Sequence, residues 1–243
     1  MRHKYFGFIV LFILTFFHIF QFPSIVYGEK LNDNSFLIEE GYNQEENVIQ
    51  HIFNCSFSQS NNLSFSYTEE WPLLRQTSQI SATFNWNDYL GETLLNYRYQ
   101  LILDDTVALA PRISLVLPTA DKKYADTEIG WGVEINLPLS LNISDRFAVH
   151  LNSGTRYDIK SKNYQFNIGG SYIFVMIDNL EFLNEYLMKI GEKEEIQMVS
   201  GIGLRAGLNL KKDFQVVPGL GLYRDFGDKE NFFFIYLSAE HSI

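Results

Sequence analysis

Between residues 129 and 141 every odd position is apolar: Ile129, Trp131, Val133, Ile135, Leu137, Leu139 and Leu141. Gly130, Gly132, Glu134, Asn136, Pro138 and Ser140 hold the even ones. A strict two-residue period means a β-strand with one oily and one polar face, because successive side chains leave a strand on opposite sides. Residues 107–117 repeat the pattern, with Val107, Leu109, Pro111, Ile113, Leu115 and Leu117 on one face and Ala108, Ala110, Arg112, Ser114 and Val116 on the other. Both runs exceed the roughly 5–6 residues of an ordinary soluble strand. Both match the roughly 9–11 residues that a tilted strand needs to cross a bilayer. Trp131, near the end of its run, suits an interface anchor. A long hairpin in a soluble barrel would satisfy this stretch equally well, so the choice falls to the rest of the chain.

Alternating runs recur from Val48 onward, about twelve in all: 48–58, 62–71, 78–86, 91–102, the two above, then 146–156, 163–174, 179–188, 196–210, 213–222 and 232–243. Two residues break the pattern, Asn184 and His241, each on an oily face. The connections sort by parity. From the fourth strand on, every second one is tight and polar (103–105, 143–145, 177–178, 211–212), and those between are longer and more charged (118–128, 157–162, 189–195, 223–231). Short turns at one end and longer loops at the other are the mark of an outer-membrane barrel, and a soluble sandwich has no reason to sort its loops this way. The expected fold is therefore all-β, an antiparallel transmembrane barrel of about twelve strands, with the loops around Lys122–Tyr124, Glu192–Glu195 and Asp225–Glu230 outside. The stretch 70–77 fits poorly: it should be a short turn, and Pro72 in it is expected to stop a strand.

The N-terminus reads as a secretory signal over residues 1–28. Arg2, His3 and Lys4 precede an apolar run to about Phe22, and Val26-Tyr27-Gly28 offers small residues for cleavage after Gly28; an uncleaved anchor helix is the alternative. Residues 29–47 are acidic and without period, and 48–243 form the barrel, so one domain is expected. The formal net charge of the whole chain is −10, and loss of Arg2 and Lys4 with the signal makes the remainder more acidic still, which excludes nucleic acid as a partner. The single cysteine, Cys55, excludes an internal disulfide framework. The five histidines are scattered without paired-ligand spacing, so no metal or cofactor is expected.

Several stretches carry a likeness to a known family: Asn34-Ser35-Phe36-Leu37-Ile38-Glu39-Glu40 with Tyr42-Asn43-Gln44-Glu45, Val48-Ile49-Gln50-His51, and Glu70-Trp71-Pro72. Further along come Ala110-Pro111-Arg112-Ile113-Ser114-Leu115 with Leu117-Pro118-Thr119, Asn136-Leu137-Pro138-Leu139-Ser140, Val149-His150-Leu151-Asn152-Ser153-Gly154 and Val217-Pro218-Gly219-Leu220. In their order and spacing the chain resembles the bacterial outer-membrane β-barrel transporter family named after the MetA pathway of phenol degradation. The resemblance implies outer-membrane lipid around the barrel and passive passage of a small solute, hydrophobic and aromatic ones included. It does not imply phenol. The chain departs from outer-membrane barrels in general by ending in Ile243 rather than Phe.

If the oily faces meet lipid, the polar faces project Arg98, Arg112, Glu134, His150, Arg156, Glu181, Glu185, Arg205 and Glu240, together with Glu92, into the lumen. They form either a charge network that fills a narrow barrel or a polar conduit for a solute. The first reading makes the protein a structural or interaction barrel without transport, the second a channel. An outer-membrane enzyme is more remote, since His150 and Ser153, three apart on a strand, point to opposite faces and cannot form a nucleophile–base pair. Four lumen arginines also need counter-charge, and Glu39, Glu40, Glu45 and Glu46 lie just before the first strand, beside apolar Phe36, Leu37 and Ile38. Part of residues 34–47 is thus expected to fold into the lumen or across its mouth as a plug; a disordered leader is the alternative.

Overall fold

The computed structural model describes residues 35–60, 62–87, 90–119, 130–191, 196–211 and 213–243. The signal-like N-terminus and the loops at Lys122–Tyr124 and Glu192–Glu195 lie outside the described residues. Twelve staves follow in order: β1 (Val48–Ser58), β2 (Leu63–Leu73), β3 (Ser78–Trp86), β4 (Leu90–Tyr99, resuming at Ile102–Leu103), β5 (Val107–Leu109, resuming at Arg112–Pro118), β6 (Gly132–Ser144), β7 (Phe147–Asp158), β8 (Tyr164–Ile177), β9 (Leu180–Gly191), β10 (Ile196–Ala206, resuming at Leu208–Lys211), β11 (Phe214–Asp225) and β12 (Glu230–Ser242). Each pairs antiparallel with its chain neighbours, and β1 pairs along its whole length with β12, from Val48↔Ser242 to Ser58↔Phe232. The sheet is thus a closed antiparallel barrel of twelve strands with no free edge.

Its faces are those of a membrane barrel. Ile135, Leu137, Leu151, Ile202 and Phe233 point outward and stay about half exposed, while Gln79, Ser140, Glu185, Arg205 and Ser238 are buried inside. Apolar outside and polar inside is the reverse of a soluble barrel, and the soluble alternative ends there. The two exceptions in the pattern find local partners. Asn184 donates from Nδ2 to the Gly201 carbonyl at 2.9 Å. His241 meets His51 at 3.3 Å between Nε2 atoms, and Tyr67 bonds the other nitrogen of His51 at 2.9 Å.

Prolines bend the expected pattern without breaking the register. Residues 107–117, expected to form one run, are split at Ala110-Pro111, yet Leu109↔Leu139 and Arg112↔Asn136 hold one register across the gap. The ladder is interrupted only because Pro111 has no N–H to give. Pro72 does not stop its strand, contrary to expectation: β2 runs to Leu73, with Pro72 paired to Gln79. The β1 ladder has already ended at Glu70, so on that side a missing donor costs nothing. The connection is then Leu74 and the short 3₁₀ turn Arg75–Thr77. On β4, four steps from Arg98 to Ile102 face three on β5 from Arg112 to Leu109, a one-residue bulge that holds Gln100.

Strands reach further than their alternation shows, so two of the longer connections shrink to residues 159–163 and 226–229. The tight turns at 104–106, 145–146 and 178–179 lie at the end where β1 begins. The C-terminus is there too, with Ile243 N–H bonded to the Asn47 carbonyl at 2.8 Å. In the first of these turns Asp104 accepts from the Thr106 backbone N–H at 3.0 Å and from its hydroxyl at 2.8 Å, which holds the Asp104 carboxyl below its usual range.

Candidate functional site

Residues 35–44 run inside the barrel, across the half of the lumen nearer the short turns. They belong to no strand, so their backbone groups need partners from elsewhere. The wall supplies side chains. Glu185 Oε1 on β9 accepts from the N–H groups of Leu37 at 2.9 Å and Ile38 at 3.2 Å. Asn152 on β7 accepts from Glu39 N–H at 2.9 Å and donates to the Glu39 carbonyl at 2.7 Å. Ser140 on β6 accepts from Gly41 N–H at 2.7 Å. Gln100, at the β4 bulge, donates to the Gly41 carbonyl and accepts from Asn43 N–H, both at 2.7 Å. Gln79 on β3 accepts from Gln44 N–H at 2.7 Å, and Arg98 donates to the Glu40 carbonyl. At the start of the segment, the hydroxyls of Ser35 and Ser171 on β8 lie 2.7 Å apart.

The side chains of the segment lock into the wall beneath them. Phe36 lies over the inner faces of β10 and β11, where a Cβ on Gly219 would come within 2.6 Å of its ring and one on Gly221 within 3.2 Å. It stacks on Tyr236 and Phe234, with centroids 5.2 and 5.6 Å away. Ile38, 1 % exposed, sits over Gly169, whose Cβ would meet it at 2.5 Å. The glycines are what let a bulky side chain lie flat against a barrel wall. Gly41 works the other way round, since a Cβ there would collide with the Ala108 carbonyl.

The charges fall into separate groups rather than one network. Arg112 is bound by Glu39 of the segment, at 2.8 Å, and by Glu134 of β6. Arg156 meets Glu92 at 2.5 Å, across from β7 to β4. Arg205 and Glu181 are direct cross-strand partners, buried, with Nε and Oε2 2.8 Å apart. Tyr223 donates its hydroxyl to Glu185, whose other oxygen holds the segment. His150 bonds the Ser140 hydroxyl at 2.6 Å. Glu240 faces inward on β12, between Gln50 and Gln215. Of the four N-terminal acids, Glu39 and Glu40 lie within the lumen segment, whereas Glu45 and Glu46 are exposed, in the turn closed by Val48 N–H on the Glu45 carbonyl. Ser153 points outward, and the serine that His150 does meet is sealed under Gly41.

Sequence reasoning did not find Gln79, Gln100, Ser140 and Asn152 as the residues that read the segment's backbone. Neutral polar side chains on a lumen face carry no signal of what they bind. Glycine at inward positions 169, 203, 219 and 221, where the pattern calls for a side chain, was an available sign of a socket.

No protein-family model matches the sequence, and no curated protein matches it. Solved structures do. The chain is similar to the KdgM porin, with a TM-score of 0.60 and 11 % identity over 80 % of this chain and 99 % of that one. It is similar to the COG4313 outer membrane channel from Pseudomonas putida F1, with a TM-score of 0.58 and 11 % identity over 89 % of this chain and all of that one. The NanC porin gives 0.58 and 9 % identity over 79 % of this chain. The fold of the chain is thus the fold of outer-membrane porins and channels.

Proposed function

We propose that the protein is a passive outer-membrane channel for a small solute, and that residues 35–44 are a plug that closes its lumen. The single observation behind this reading is the segment's mode of attachment. It is held mainly by neutral hydrogen bonds from wall side chains and by one aromatic ring in a glycine socket, and each of these can be exchanged for water or solute without unfolding a strand. The porin-like fold supports the location, with the short turns and both ends of the barrel on the periplasmic side. Cleavage after Gly28 would leave six residues ahead of Ser35 on that side.

Membership in the family named after the MetA pathway is the finer reading, with hydrophobic or aromatic solutes within its range. Its support is positional. Among the described residues, five of the matching stretches, 35–40, 110–115, 136–140, 149–154 and 217–220, belong to the segment and the wall it rests on. The competing reading is an interaction barrel without transport, favoured by the complete burial of Ala108, Arg205, Val217 and Ser238 around the segment. Conductance in a planar bilayer separates them. A variant lacking residues 30–46 is expected to open larger or more often than the intact protein. Unchanged conductance, with residues 35–44 protease-sensitive in the intact protein, refutes the plug, and the absence of conductance from both proteins refutes the channel.

A further inference from the structure

Above the segment, toward the longer loops, the inner wall divides into sectors of different chemistry. Above Glu70, on β1 to β3, it is uncharged and hydroxyl-rich. Ser56 and Ser64 share a hydrogen bond of 2.5 Å, Thr68 and Thr83 one of 3.0 Å, and Asn54 donates to Ser66 at 3.3 Å. Asn96 continues the chain by donating to Ser81 at 3.0 Å and Thr83 at 3.3 Å. At the foot of this sector Asn96 Oδ1 and Ser114 Oγ have no partner among the described residues, although both residues are at least 95 % buried. An unpaired buried acceptor is costly and is a standing demand for a donor.

The adjoining sector is aromatic. Across the β1–β12 seam, Ser56 pairs with Phe234 and Ser58 with Phe232, and Tyr223 of β11 stacks on Phe232 at 5.4 Å. The hydroxyls pair across neighbouring strands at 2.5 and 3.0 Å, and each pair keeps lone pairs free to accept from a hydroxyl of a solute. A flat apolar ring beside such a ladder suits a molecule with C–H faces and a hydroxyl rim. The two arginines just above the segment, Arg112 and Arg156, are already matched by Glu39, Glu134 and Glu92, so no bare guanidinium waits for an acidic group.

We infer that this vestibule is a binding site for a neutral, polyhydroxylated solute of the monosaccharide or disaccharide class. The inference rests on the channel reading for its meaning but not for its test. Full-length protein in detergent is titrated calorimetrically with glucose and maltose, with glucuronate as the acidic counterpart and benzyl alcohol as the aromatic one. The neutral sugars are expected to bind, and the double variant Thr68→Val/Thr83→Val, which keeps shape and removes two hydroxyls, to bind them about tenfold more weakly. Wild-type-like heat-modifiable migration of the variant establishes that its barrel has formed; should it fail, Ser64→Ala is used and expected to weaken binding in the same direction. Absence of sugar binding, tighter binding of glucuronate, binding of benzyl alcohol alone, or affinity unaffected by loss of the hydroxyls each overturns the inference. Sugar binding by a protein that conducts in no form would leave the site standing and remove the channel. Conductance without sugar binding would do the reverse.

Discussion

Phe36 and Glu39 hold the same segment by forces of different size. Phe36 is 6 % exposed among Phe234, Tyr236 and the glycines of β10 and β11. Truncating a buried Phe to Ala costs about 3–5 kcal/mol where the site cannot collapse, and a barrel wall of backbone cannot. The Glu39–Arg112 pair is partly solvated, with 28 % of the Glu39 side chain exposed, and Arg112 keeps Glu134 when Glu39 is neutralised. An ion pair of that kind contributes up to about 1 kcal/mol. Phe36→Ala is therefore expected to raise open probability or protease access to residues 35–44 far more than Glu39→Gln. Equal effects would mean that charge, not the ring, anchors the segment. From the other side of the contact, Gly219→Val places a branched side chain where the Phe36 ring lies, and it is expected to release the segment as Phe36→Ala does while leaving the ladders of β11 intact.

Strands were legible because the barrel asks each of them for the same thing, one face for lipid and one for the lumen, and β6 shows this in every residue from Val133 to Leu141. What alternation leaves open is where a strand ends. Proline reads as a stop, but Pro72 sits on a stave whose β1 ladder is already over, and Pro111 costs one ladder bond while the register holds. That lumen arginines and the acids before β1 need counter-charge was legible because unmatched charge is expensive, but the choice of Glu39 for Arg112 was not. Gln79, Gln100 and Asn152 were not, because an amide on a polar face suits water equally well. Face assignment has a direct test at this scale. Ile135→Arg and Leu137→Arg, on the outer face of β6, are expected to cost about 2–4 kcal/mol of insertion near the midplane. Thr83→Arg, inward and half-buried on β3, is expected to cost less, as read by folding into lipid vesicles. Equal losses at the three positions would overturn the assigned faces.

On the scale of the whole molecule, the longer loops are expected outside the cell. An epitope inserted at Gly227-Asp228, in the turn between β11 and β12, is expected to be detected on intact cells, and one at Asp178-Asn179 only after the outer membrane is opened. The reverse result inverts the topology. The barrel's own closure sets the order in which its parts can finish. β1, the first strand made, pairs with β12, the last, and the segment that precedes β1 touches staves from β3 round to β12. Its socket therefore does not exist until the final strand has arrived, since Phe36 rests on rings that β12 brings. Residues 35–44 are in that sense a witness to completed assembly. A chain caught with its seam unzipped must leave them loose for a protease to find, and a chain that hides them has finished.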